Sequence, residues 1–145
     1  MGLDMYAYSI EDKENGHTEF YEFEWRKHAK LHQFMHDHYY ALVDEGTLEE
    51  DPEHVEAHPL GAFNCIPLYL DEDILEQLQE LVEKDELPEC EGGFFWGHQF
   101  QDESAKEYKK QDLEFCKWAI DATRNGHSVY YKCWFYHEDA QDALF

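Results

Sequence analysis

The chain has 145 residues and 17.4 kDa, a length that fits one domain. Its 34 Asp and Glu against 11 Lys and Arg give a formal net charge of −23. That charge argues against direct binding to nucleic acid and, on the same grounds, excludes an anionic membrane surface, because both draw their affinity largely from Lys and Arg. The 43% hydrophobic and 17% aromatic content excludes a disordered polyelectrolyte and provides for a packed core.

Leu3–Ile10 reads as an opening strand, followed by a polar turn over Glu11–His17 that contains Asn15-Gly16. Thr18–Glu24 is aromatic and charged, the pattern of an exposed second strand. From Trp25 to Val43 the spacing is helical, and His28, Leu31, His32, Met35, Tyr39 and Leu42 fall on one face. Asp44–Gly61 is acidic, holds Pro52 and Pro59, and is expected as a long loop. Phe63–Leu70 is a strand whose Pro67 places it at an edge or a bulge.

A short helix follows from Asp71, with Ile74, Leu75, Leu78, Leu81 and Val82 as its buried face and Leu87-Pro88 as its end. Gly92–Gly97 brackets the aromatic run Phe94-Phe95-Trp96, a short strand or a tight loop. Ser104 with Glu107 forms a capping box for a third helix that stops at Asn125-Gly126, and His127–Tyr136 is the last strand. These elements predict a single-domain α+β fold over residues 1–145, with a mainly antiparallel sheet and about three helices packed on it.

Several blocks carry a resemblance: MGLDMYAY at the start, WRKHAKLHQFM over Trp25–Met35, FNCIPLYL over Phe63–Leu70, LPECEGGFFWG over Leu87–Gly97, and the closing GHSVYYKCWF. In this order they resemble a family of small uncharacterised proteins found in phages and prophages. No block is a catalytic signature. The resemblance implies a phage-related cytoplasmic setting, the host cytoplasm for a phage-encoded chain. That location agrees with the absence of any run of about 18 apolar residues and of a basic-then-apolar start. Cys65, Cys90, Cys116 and Cys133 form no CxxC pair, so neither a disulfide scaffold nor a zinc ribbon is expected and the thiols are read as reduced.

The candidate functional residues fall into three groups. His28 and His32 stand at i and i+4, a spacing that lets two imidazoles chelate one metal ion, zinc being the metal it would take. HEXXH is absent, and both histidines share their stripe with apolar residues, where core hydrogen bonding is the ordinary role of a histidine. No cofactor is otherwise expected. Trp25 and Arg26, with Phe94, Phe95 and Trp96, are candidate binding residues; an arginine among so many carboxylates ordinarily forms an ion pair. The acidic runs Glu49-Glu50-Asp51 and Asp71-Glu72-Asp73 are candidates to meet a basic partner, either as a mimic of backbone phosphates or merely as a solubilising surface. The reading is a non-enzymatic acidic protein that binds a host protein with a basic surface, a DNA-binding protein among the candidates. The alternative is a metal-binding domain or metal-dependent enzyme centred on His28 and His32. The sequence sets no oligomeric state.

Overall fold

Period-two alternation decides which way the sheet faces. Leu3, Met5 and Ala7 on the first strand, and Val129, Tyr131 and Cys133 on the last, are all fully buried. Tyr6, Tyr130, Lys132 and Trp134 stand on the opposite face, half-buried or exposed. The computed structural model describes residues 3–11, 20–58, 62–90 and 98–135. Among these, β1 (Leu3–Glu11), β2 (Phe20–Arg26), β3 (Leu68–Leu70) and β4 (His127–Phe135) form one antiparallel sheet in the order β2-β1-β4-β3. β1 and β4 pair without interruption from Leu3↔Phe135 to Glu11↔His127, while a bulge between Ala7 and Tyr8 interrupts the β1–β2 pairing.

Helices α1 (Ala29–Asp44), α3 (Glu72–Glu83) and α4 (Gln101–Arg124) share one core with the buried sheet face; α2 (Pro52–Ala57) buries nothing. The expected stripe on α3 is realised, with Leu75, Leu78 and Val82 buried and Ile74 and Leu81 packed beside them. The fold is therefore α+β with an antiparallel sheet, as the pattern predicts. No helix among the described residues is long and apolar enough to cross a membrane.

Boundaries differ from the expectation where long-range pairing overrides local periodicity. Trp25 and Arg26 belong to β2, opposite Met5 and Asp4, and α1 starts only at Ala29. Between them Lys27 takes a left-handed φ of 52°, and its amide donates to Leu3 O at 2.9 Å, which turns the chain off the sheet edge. Phe63–Leu70 is strand only at Leu68–Leu70; residues 62–65 form a turn, with Cys65 at φ 65°. Pro67, which has no N–H for a ladder, directly precedes this short strand at the sheet edge, as its presence predicts. The acidic loop contains α2, because Asp51 caps it through Glu53 N and Pro52 suits its first turn.

α3 ends at Glu83, ahead of Leu87-Pro88, where Asp85 adopts φ 56°. α4 starts at Gln101, so Ser104 lies inside the helix and is not its cap. The buried Gln101 side chain fixes that start by donating to Cys90 O and accepting from Cys90 N at 2.7 Å. The helix stops where Asn125-Gly126 predicts, Gly126 taking a φ of 85°. α4 also covers the β2 edge: Gln111 donates to Glu24 O at 2.7 Å and Arg26 N donates to Tyr108 Oη at 3.1 Å. Satisfying edge groups from a helix blocks pairing with a further strand. The Gly92–Gly97 run and the Asn15-Gly16 turn lie outside the described residues.

Candidate functional site

The histidine stripe of α1 meets two different partners. His28 Nε2 donates to Asp112 Oδ2 at 2.6 Å, and Trp25 Nε1 donates to Asp112 Oδ1 at 2.8 Å. All three side chains are buried, and the His28 ring stacks on Tyr108 at 5.1 Å. One turn on, His32 Nδ1 is hydrogen-bonded to Tyr131 Oη at 2.8 Å and its ring stacks on Phe63 at 5.6 Å. Burial, with a smaller contribution from His36, holds the His32 pKa well below 6.5, so the ring is neutral. Burial likewise pushes the Tyr131 hydroxyl far above 10. The i, i+4 spacing is thus real, but the two rings are committed to α4 and to β4 respectively. Among the described residues no group of three or more His, Cys, Asp or Glu is placed to hold a metal ion.

The next turn brings a third histidine. His36 packs against Tyr40 at 4.6 Å, and burial lowers its pKa while the Asp37 carboxylate opposes that shift. His38 is also lowered, chiefly by burial, against the upward pull of Asp71 and Glu45. That pull locates the acidic segments in space: carboxylates from the end of α1 and the start of α3 converge on one helix end.

The candidate carboxylates divide by duty. Asp51 and Asp71 cap α2 and α3, Asp71 Oδ1 accepting from Ile74 N at 2.9 Å. Glu50 accepts from Tyr39 Oη at 3.3 Å, and Glu72 pairs with Arg124 at 2.9 Å. Glu49 and Asp73 are exposed and make no ion pair among the described residues. Around them the charge is segregated: the 53 residues from Leu31 to Glu83 hold fourteen Asp and Glu and no Lys or Arg. The cations gather instead at the start of α1 and in the middle of α4.

There a pocket of about 430 Å3 is lined by Lys30, Val82, Leu87, Lys106 and Lys109, with Asp112 in its wall. Lys30 is already paired with Asp102 at 2.8 Å and Lys109 with Asp85 at 3.0 Å. Of the aromatic candidates, Trp25 is 1% exposed and serves the core, packed edge-on against Phe115. Arg26 is exposed and pairs with Asp4 at 3.3 Å. Phe94, Phe95 and Trp96 lie outside the described residues.

Fold and charge together define an acidic α+β protein whose described residues place three helices on one face of a four-stranded antiparallel sheet. Comparison with protein-family models, with curated proteins and with solved structures finds no match.

Proposed function

We propose that this is a phage-related, non-enzymatic protein of the host cytoplasm that binds a host protein with a basic surface through the acidic face around the end of α1, α2 and the start of α3. The observation that supports this reading is charge segregation. Glu45 and Asp71 both act on His38, Glu50 lies at Tyr39 of the same helix, and no Lys or Arg occurs between Leu31 and Glu83. Carboxylates gathered on one face make the local potential strongly negative, which steers a basic partner and repels nucleic acid and anionic lipid.

Glu49→Gln, Asp51→Asn, Asp71→Asn and Asp73→Asn in combination should weaken capture of the partner from host lysate about tenfold, on the order of 1.4 kcal/mol. The melting temperature should barely move, since Asn replaces Asp at a helix cap at little cost. Raising the ionic strength should weaken capture further, because exposed charges are screened beyond about 8 Å at physiological salt. Where the partner binds DNA, duplex DNA should compete with this protein for it. Capture that survives both the substitutions and high salt would refute the acidic face as the binding surface.

His28 and His32 serve the core in this reading, and no metal or other cofactor takes part. Zinc in excess should therefore leave the melting temperature unchanged. A zinc-dependent rise that disappears in His32→Ala would establish the metal-binding alternative, since a ligand held only by the native state stabilises it by mass action.

A further inference from the structure

Three of the chain's 11 Lys and Arg line one pocket, a large share for so acidic a protein. Its volume is about 430 Å3, and it lies where the start of α1, the end of α3 and α4 meet. Lys30 comes from the first turn of α1. Lys106 and Lys109 stand at i and i+3 on α4, on the stripe that also carries Asp102 and Asp112. Val82 and Leu87 add an apolar wall, Val82 being buried. Small-ligand sites ordinarily combine a concave shape of this size with an apolar wall and a few charged groups.

In both ion pairs of this pocket the cation is the enclosed member. The Lys30 side chain is 19% exposed and its partner Asp102, at 2.8 Å, is 84% exposed. Lys109 is 35% exposed against 75% for Asp85, at 3.0 Å. A carboxylate that stands in water and holds one ammonium contributes little, so an anion entering the pocket can take its place. Lys106 is exposed and makes no ion pair or hydrogen bond among the described residues. Asp112 does not compete for these cations in the same way, because its two oxygens already accept from Trp25 and His28.

Charge then selects the ligand. Three ammonium groups against Asp85, Asp102 and Asp112 leave the pocket neutral as it stands. Turning Asp85 and Asp102 out to solvent leaves a surplus of two positive charges, which a dianion cancels and a monoanion does not. A phosphate monoester is such a dianion above its second pKa of about 6, and lysine binds phosphate as a point charge.

We propose that this pocket binds a small organic phosphate monoester. Lys30, Lys106 and Lys109 take the phosphate in place of Asp85 and Asp102, and the organic body lies on Val82 and Leu87. None of the carboxylates assigned to the protein-binding face lines this pocket, so either site stands or falls without the other.

The test titrates the full-length protein with phenyl phosphate at about pH 8, where the phosphate is a dianion, following backbone amides by NMR and heat by calorimetry. Amide signals of the pocket residues should shift and saturate. Phenyl sulfate has the same body with one charge fewer, and inorganic phosphate has the head group without the body. Each should bind about tenfold more weakly. Lys106→Gln, which breaks no contact in the free protein, should weaken phenyl phosphate about three- to tenfold. Asp102→Asn should tighten it about two- to fivefold, because Lys30 no longer has a carboxylate to give up. A merely structural role for the Lys30–Asp102 pair would produce no such gain. The proposal is overturned by an absence of shifts at the pocket, or by phenyl sulfate binding as tightly as phenyl phosphate. Binding that Lys106→Gln leaves unchanged, or that Asp102→Asn fails to tighten, overturns it equally. Inorganic phosphate binding as tightly as phenyl phosphate would overturn the role of Val82 and Leu87.

Discussion

Asp112→Ala should destabilise the protein by about 3–5 kcal/mol, the range for removing one partner of a buried, hydrogen-bonded charged group. Asp112 is 1% exposed, and both of its oxygens are occupied by donors that are themselves buried, Trp25 Nε1 and His28 Nε2. Alanine leaves both buried donors without their acceptor, so each carries its own desolvation cost. The loss is a large fraction of the 5–15 kcal/mol typical of a domain. Asp112→Asn keeps one oxygen to accept from Trp25 but loses the second acceptor, and about 1–3 kcal/mol is expected. Urea titration followed by circular dichroism measures both. A cost below about 1 kcal/mol for Asp112→Ala would mean that water replaces the carboxylate and that the site is not dry.

Asp112 also marks where sequence reading ends. The α4 positions Asp112, Phe115, Cys116, Ala119 and Ile120 are all buried, so a single acid stands on an apolar stripe. That placement signals a buried partner, but not which one, because His28 is 84 residues away in the chain. Tyr131, the partner of His32, is 99 residues away and looks like any other core aromatic of a strand. What repeats along the chain was legible: the alternation of β1 and β4, the α3 stripe, the edge position implied by Pro67, and the stop at Asn125-Gly126. What depended on distant contacts was not.

Local spacing puts Trp25 at the start of the helix, whereas its pairing with Met5 puts it in the strand. The six candidate carboxylates were visible as runs, yet the roles of three of them, Asp51 and Asp71 as caps of α2 and α3 and Glu72 as the partner of Arg124, appear only in three dimensions. A cap and a binding carboxylate have the same composition. They differ in whether an N–H lies within reach.

Acid should destabilise the protein from pH 6.5 downward, through its buried histidines. The sign follows from linkage. His32 is held well below 6.5 by burial, while in the unfolded chain it titrates near that ordinary value. Below pH 6.5 the unfolded state therefore binds a proton that the folded state refuses, and stability falls as pH falls. One such group contributes at most about 1.4 kcal/mol per pH unit, so the loss between pH 6.5 and 5.0 is at most about 2 kcal/mol. His36 and His38 shift in the same direction, but solvent screens these half-buried rings and their contributions are smaller.

An opposing effect must be separated. The net charge of −23 repels itself, and protonation of carboxylates toward the isoelectric point near 4.5 relieves that repulsion. His32→Gln isolates the histidine, because every surface carboxylate is common to both proteins and cancels in the difference. Glutamine can still bond Tyr131 but cannot titrate, so its baseline stability differs while its slope reports only the remaining groups. Between pH 6.5 and 5.0 the wild-type protein should lose more stability than His32→Gln, by up to about 2 kcal/mol, in urea titrations at each pH. Parallel profiles would mean that His32 gains its proton without unfolding, which requires the contact between α1 and Tyr131 to open to water in the native state.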